Sequence, residues 1–376
     1  MTRVDRYIVA EFARVFLICF ITFLGLFIVA DFVNHLDELA KHGETHGGLG
    51  RVLLGYYGPK IPWFFDLIGR IVALVAAVFA VTSLQRNNEM AAMMAAGVSR
   101  WRIVKPLVYS VAVVAVLGFL NRELVIPRLG ASIMRDARNY DGHQSEEVLP
   151  QYDHATDVFV DGGGVLPAKK AIVDPRFDIP TSMAPRGTRV DGALATHRKA
   201  NKQHPAGFLV TGVRESDLGV RQTLMHDDQP VVFHPRDHAW LKPDELFVAT
   251  GLPFAQLRAG TNWRQYASTF NLISGARNPS LDSGADVSVR IHTRILKPVS
   301  DLIVLFLGLP IVLSRESRNA YIAVGSSMSI VALFVLVSLA LHSMGMNYMI
   351  SPSLAAWGPL LIFIPVSVLL SEPLRR

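Results

Sequence analysis

Six apolar stretches, each long enough to cross a bilayer, fall in two groups of three around one polar block, and this layout limits the fold more than any motif does. They run Phe12–Phe32, Pro62–Leu84, Val104–Leu124, Leu296–Leu313, Tyr321–His342 and Leu354–Leu370. A helix needs about 20 mostly apolar residues to span the hydrocarbon layer. Backbone polar groups there must be satisfied within the segment, which selects helices for runs of this kind. The chain therefore reads as a membrane α-helical bundle of six transmembrane helices. At 51% hydrophobic and 18% charged residues it is too apolar for an ordinary soluble domain. The first stretch is not read as a cleavable signal, because it is too long and no small-residue cleavage site follows it.

Orientation follows from lysine and arginine in the short loops. Arg3 and Arg6 precede the first span, and Arg86, Arg100, Arg102 and Lys105 lie between the second and third. Arg315 and Arg318 sit between the fourth and fifth, and Arg375 and Arg376 end the sequence. Both termini are expected in the cytoplasm and the polar block on the opposite side. The net charge of +6 is then an orientation signal, and no nucleic-acid partner is implied. Cys19, the single cysteine, lies in the first span, so the polar block has no disulfide.

The expected division is residues 1–124 for spans one to three, 125–290 for an extracytoplasmic (periplasmic) domain with a linker helix, and 291–376 for spans four to six. The middle block carries short extended runs: Asp157–Asp161, Val165–Val173, Thr188–Thr196, Gly207–Val213, Val231–His234 and Leu246–Thr250. Prolines and Gly162-Gly163-Gly164 punctuate them, which predicts an antiparallel β-jellyroll. Val158, Val160, Leu209 and Val213 are candidates for its interior. Asn262–Ser274 reads as a helix with Trp263, Tyr266 and Phe270 on one side.

Catalytic patterns are missing. The sequence has no G-x-x-x-x-G-K-[ST], H-E-x-x-H, C-x-x-C or G-x-S-x-G, so it reads as a protein without its own ATPase or hydrolase site. His42, Glu44 and His46 are close in sequence, but Gly43, Gly47 and Gly48 make that segment a poor metal cage, and no metal is expected. Intramembrane charges carry more weight because they are costly. Asp66 and Arg70 are four apart in span two, as are Lys297 and Asp301 in span four, so each pair shares a helix face and can neutralise itself. Either they are self-paired structural charges or they line a cavity for a polar head group. Asp31, Asp37 and Glu38 read as solvated at the outer end of span one.

Residues 88–100 read as a short Ala- and Met-rich helix between two spans, within the stretch 86–102. Glu89, Met93 and Gly97 recur every four residues on one face, and Met suits an adaptable contact surface. With Asp5-Arg6-Tyr7 before span one, Asp31-Phe32-Val33-Asn34-His35-Leu36 at its exit, and Val289–Pro298 leading into a span that ends Gly308-Leu309-Pro310, this stretch resembles the lipopolysaccharide-export ABC transporter permeases of the LptF/LptG type. The resemblance covers nearly the whole chain.

It implies a permease subunit that pairs with a paralogous permease on a cytoplasmic ABC ATPase dimer. ATP and Mg would be bound by that partner, with no cofactor on this chain. The outer domain would join a periplasmic jellyroll bridge protein in the inner-membrane export of lipopolysaccharide or a related glycolipid. Glu89, Met93, Gly97 and Arg100 would couple to the ATPase, and Phe27, Asp31, Lys41 and Val335 would line a lateral gate between spans one and five. Where other members carry lysines at the outer end of span one, this sequence has Asp31, Asp37 and Glu38, with Lys41 nearby. An acidic rim should repel a phosphorylated lipid unless a divalent cation bridges them. Two other classes fit parts of the pattern: an ion-coupled secondary transporter using Asp66, Arg70, Lys297 and Asp301 as a relay, and a receptor or scaffold with a ligand-sensing β domain.

Overall fold

A computed structural model describes residues 3–45, 47–184, 187–213, 220, 222–314 and 320–372. The chain forms two compact units, one from residues 1–129 and 284–376 and one from residues 130–283.

The first unit is helical. Its long members are α1 (Arg3–Asn34), α4 (Lys60–Arg86), α6 (Arg100–Leu120), α10 (Ala285–Ser314), α11 (Ala320–Met346) and α12 (Pro352–Leu370). After α6 the helix continues through a π-helical turn, Asn121–Val125, into α7 (Ile126–Ile133). Six helices are long and apolar enough to cross a membrane among the described residues. The protein is thus a multi-pass membrane protein. Ala73, Ala76, Ala77 and Ala80 of α4 are buried, with Val304, Leu305 and Leu307 of α10 and Ile103, Val104 and Leu107 of α6 in the same core. Small residues let membrane helices approach closely, where packing replaces the hydrophobic drive available in water. By contrast α1 buries only Ile8 and Phe12, both near its start. Further along, Leu26 and Val33 are two-thirds exposed, and Leu336 of α11 is similar.

Between α1 and α4 the sequence suggested a flexible glycine-rich loop. Instead it forms α2 (Leu36–Thr45) and α3 (Leu49–Tyr57). Gly43 is buried where these helices meet, and a Cβ there would lie 3.1 Å from the Leu49 Cα. That glycine serves close approach rather than freedom. His46 lies outside the described residues.

The second unit is an antiparallel β sandwich. One sheet has β1 (Gln151–Asp153), β2 (Val158–Asp161), β5 (Arg176–Ile179) and β6 (Thr188–Asp191), in the order β1-β2-β5-β6. The other has β3 (Gly164–Leu166), β4 (Ala171–Val173), β7 (Leu194–Arg198), β8 (Gly207–Thr211), β9 (Leu224–His226), β10 (Gln229–Phe233) and β11 (Glu245–Ala249), in the order β3-β4-β7-β8-β11-β10-β9. The sheets share one apolar core in which Phe177 of β5 and Phe208 of β8 meet, centroids 5.9 Å apart. Burying each ring contributes about 2 kcal/mol. Val158, Val160 and Val213 belong to this core, whereas Leu209 points to the opposite face and packs beside Phe233, Trp240 and Phe247.

Two runs expected to be single strands are each two. Val165–Val173 folds back at residues 167–170 to give β3 and β4, and Thr188–Thr196 turns at Gly192 so that β6 and β7 lie in different sheets. Asn262–Ser274 is also divided. A 3-10 turn, Gly260–Gln265, precedes α9 (Thr269–Ala276), because the Ser268 hydroxyl accepts the Asn271 N–H and starts a new helix there.

Candidate functional site

Three constellations in the helical unit are built from residues that are costly to bury. The first surrounds a cavity of about 410 Å³ lined by α4, α6 with its π turn, α10, α11 and α12. Its lining is mixed: apolar side chains such as Leu67, Phe119, Phe334 and Val335 stand among the charged Asp66, Arg70, Arg122, Glu123, Arg294 and Lys297.

The charges pair between helices rather than along them. Asp66 of α4 accepts from Lys297 of α10 and, at 3.0 Å, from Arg122 of the π turn. Arg70 reaches Asp301 of α10 at 2.9 Å. Helical spacing made Asp66–Arg70 and Lys297–Asp301 available as internal pairs, but in the packed bundle each carboxylate meets the cation of the facing helix. The π turn matters here: its extra residue per turn changes the helix phase, and Asn121 donates to the Pro62 carbonyl at 2.8 Å beside the Arg122 contact. Arg70, Arg122, Arg294 and Lys297 face Asp66 and Glu123 around the cavity. Counting Asp301, which holds Arg70 from behind, four cations oppose three carboxylates and the site keeps a positive excess.

Arg122, Glu123, Arg294 and His342 were not singled out in the sequence. The available signal was adjacent opposite charges at Arg122-Glu123, inside the third apolar run.

The second constellation is at the outer end of α1. Asp31 is not a solvated rim charge. It accepts the Tyr57 hydroxyl at 2.9 Å and has Lys60 Nζ at 3.6 Å and the His35 ring at 3.6 Å. Lys60 also lies 3.6 Å above the Tyr56 ring. Burial, then the bond to Asp31, pushes the Tyr57 phenol above its ordinary range, so it stays a donor. Asp31 is thereby a tie from α1 to α3 and α4, and its charge is locally balanced. Phe27 stacks on Phe64 of α4, centroids 5.1 Å apart, while Lys41 is exposed on α2.

The third is α5 (Glu89–Ala95), a two-turn helix between α4 and α6. Gly97 at φ 82 closes it: its N–H donates to Met94 and that of Val98 to Met93. Ser99 then caps α6 by accepting the Arg102 N–H. Met90 is buried and Met93 packs on the bundle core, so the outward surface is Ala91, Ala92, Met94 and Ala95. Glu89 accepts the Tyr7 hydroxyl at 3.2 Å, and Arg102 reaches Asp5 at 3.5 Å, tying α5 and α6 to the start of α1.

In the β unit, His197 and His234 are held below their ordinary 6.5. Burial is the main cause for both, reinforced by Lys170 and Lys199 at His197 and by Arg236 at His234. The fold therefore favours their neutral forms, and its stability is complete above pH 6.5 and declines as pH falls below it. At His234 the added proton also displaces an acceptor, since Nδ1 takes the Arg236 N–H at 3.1 Å. Thermal unfolding of the β unit within the whole chain should shift to lower temperature between pH 7.5 and 5.0. Replacing both histidines with glutamine should reduce that shift.

Among the described residues no group of three or more His, Cys, Asp or Glu side chains is placed to hold a metal. A family model described as lipopolysaccharide export system permease LptF/LptG matches residues 6–147 and 219–372. No curated protein matches the chain.

Proposed function

The chain belongs to the LptF/LptG family of lipopolysaccharide export permeases, and from that premise we propose that it is the membrane subunit of an ATP-driven exporter of a phosphorylated glycolipid. The observation that carries this reading is the cavity's mixed lining. Its apolar side chains suit acyl chains, and the positive excess around Arg122, Arg294 and Lys297 suits headgroup phosphate. Asp31, held by Tyr57 and Lys60, contributes less to an acidic rim than the sequence suggested.

In this reading the chain lies in the inner membrane with both termini cytoplasmic and the β domain periplasmic. A partner ATPase dimer binds ATP and Mg and receives α5, with Glu89 and Arg100 as polar contacts and Met94 taking the outward position beside Met93 and Gly97. The exposed apolar faces of α1 and α11 meet a paralogous permease, and Phe27 and Val335 lie along the lipid's path. The β domain, read as a jellyroll, passes the glycolipid to a periplasmic bridge of similar fold.

Affinity purification of the chain from its native membrane tests this. The account expects an ATPase, a second permease and a phosphorylated glycolipid to copurify. Recovery of the chain alone, from a preparation that keeps other transporter complexes intact, would overturn it.

A further inference from the structure

One end of the seven-stranded sheet concentrates positive charge. The β3–β4 turn reads Pro167-Ala168-Lys169-Lys170, and the segment leaving β7 reads Arg198-Lys199-Ala200-Asn201-Lys202-Gln203-His204. The ladder brings them together: Ala171 lies opposite Thr196, and the His197 N–H donates to the Lys170 carbonyl at 3.0 Å. Neither segment contains Asp or Glu. Lys169, Lys170, Arg198, Lys199 and Lys202 are all exposed.

An ordinary solvated turn would intersperse opposite charges, because like charges on neighbouring strands repel. Here the clustering comes with a backbone cost, since Lys170 sits at φ 50, a left-handed conformation unfavourable for a side chain with a Cβ. The platform is also braced. Asn201 Oδ1 accepts the N–H groups of Gln203 and His204 at 2.8 Å, and the His204 ring packs at a tilt 5.1 Å from Trp240 and 4.5 Å from Phe247. Burial holds the His197 ring below its ordinary pKa, and the nearby Lys170 and Lys199 add to that depression. Residues 148–218, which carry the rim, fall outside both matched segments of the family model.

We propose that this basic rim is a second anion site, which binds phosphate groups of an anionic lipid headgroup with Lys170 and Lys199 as the nearest contacts. Flexible ammonium groups suit phosphates whose spacing varies. An acidic peptide is the weaker fit: β7 and β8 are interior strands with both neighbours paired, so no free edge is available there for an added strand. The site rests on the transport reading only for where the headgroup comes from, cargo or bilayer.

The test uses the whole chain, histidine-labelled, in phosphatidylcholine nanodiscs, with the His197 ring signal as a local readout. One arm adds a soluble bisphosphorylated glucosamine disaccharide, and the other adds vesicles with or without phosphatidylglycerol. One or both should move the His197 signal. Combined Lys169→Gln, Lys170→Gln, Lys199→Gln and Lys202→Gln should weaken that response about tenfold or more, the loss of one charge-assisted contact. The matching Lys→Arg set should retain it. A response to the disaccharide alone identifies cargo as the source, and a response to anionic vesicles identifies the bilayer. No movement of His197, or a Gln set within about twofold of the parent, overturns the proposal. A ligand in the membrane cavity leaves His197 unmoved, and no ATPase takes part, so this failure is distinct from failure of the transport reading.

Discussion

Glu89→Lys is expected to leave the chain inserted and folded while abolishing ATPase association and lipid export. Glu89 is in the first turn of α5, where a carboxylate favours the helix dipole, and it holds the Tyr7 hydroxyl. Reversal removes that bond and places a cation where a basic partner residue is proposed to dock. Losing one member of a desolvated charge pair costs about 2–5 kcal/mol, so association should fall at least about thirtyfold. Glu89→Gln, which keeps an acceptor for Tyr7, should fall between the parent and Glu89→Lys. Copurification of the ATPase with the variant measures the effect, and full export by Glu89→Lys would remove α5 from the coupling path.

Asp66→Ala should be the most damaging single change to the bundle. It removes the carboxylate shared by Lys297 and Arg122, two largely buried cations held between α4, α10 and the π turn. Breaking a buried pair from one side costs about 3–5 kcal/mol, enough to lower the apparent Tm in detergent by about 10 °C. Converting a whole pair behaves differently. Arg70→Met with Asp301→Leu replaces a buried ion pair by apolar groups and should be within about 1 kcal/mol of the parent or more stable. If Asp66→Ala unfolds at the parent's temperature, the charges around the cavity are solvated and the Asp66 pairs do not fasten the bundle.

The sequence made the membrane bundle legible because span length is a one-dimensional property: an apolar run such as Leu354–Leu370 requires no knowledge of its neighbours. Partner choice is not one-dimensional. Asp66 and Arg70 share a face at helical spacing, but α10 offers Lys297 and Asp301 at the same depth, and cross-helix pairs fasten two elements where an internal pair fastens none. Asp31 was misjudged for a related reason, since Tyr57 and Lys60 lie 26 and 29 positions further along and reach it only after α2 and α3 fold back. The β runs were visible as apolar alternation, yet turns at Lys170 and Gly192 cut two of them, and neither residue announces itself inside an otherwise extended pattern. Glu89 and Gly97 were readable because a helix start and a left-handed glycine stop are local signals.

The central claim, that the cavity between α4, α10 and α11 holds the glycolipid, is most directly tested by photocrosslinking. A benzophenone amino acid replacing Phe119, on the cavity wall, is compared with one replacing Leu369, which is 73% exposed. The account predicts that the Phe119 position captures a phosphorylated glycolipid in membranes and that this adduct declines when the partner ATPase is supplied with ATP, while Leu369 captures bulk phospholipid regardless. The same bulk-lipid adducts at both positions, unchanged by ATP, would contradict it.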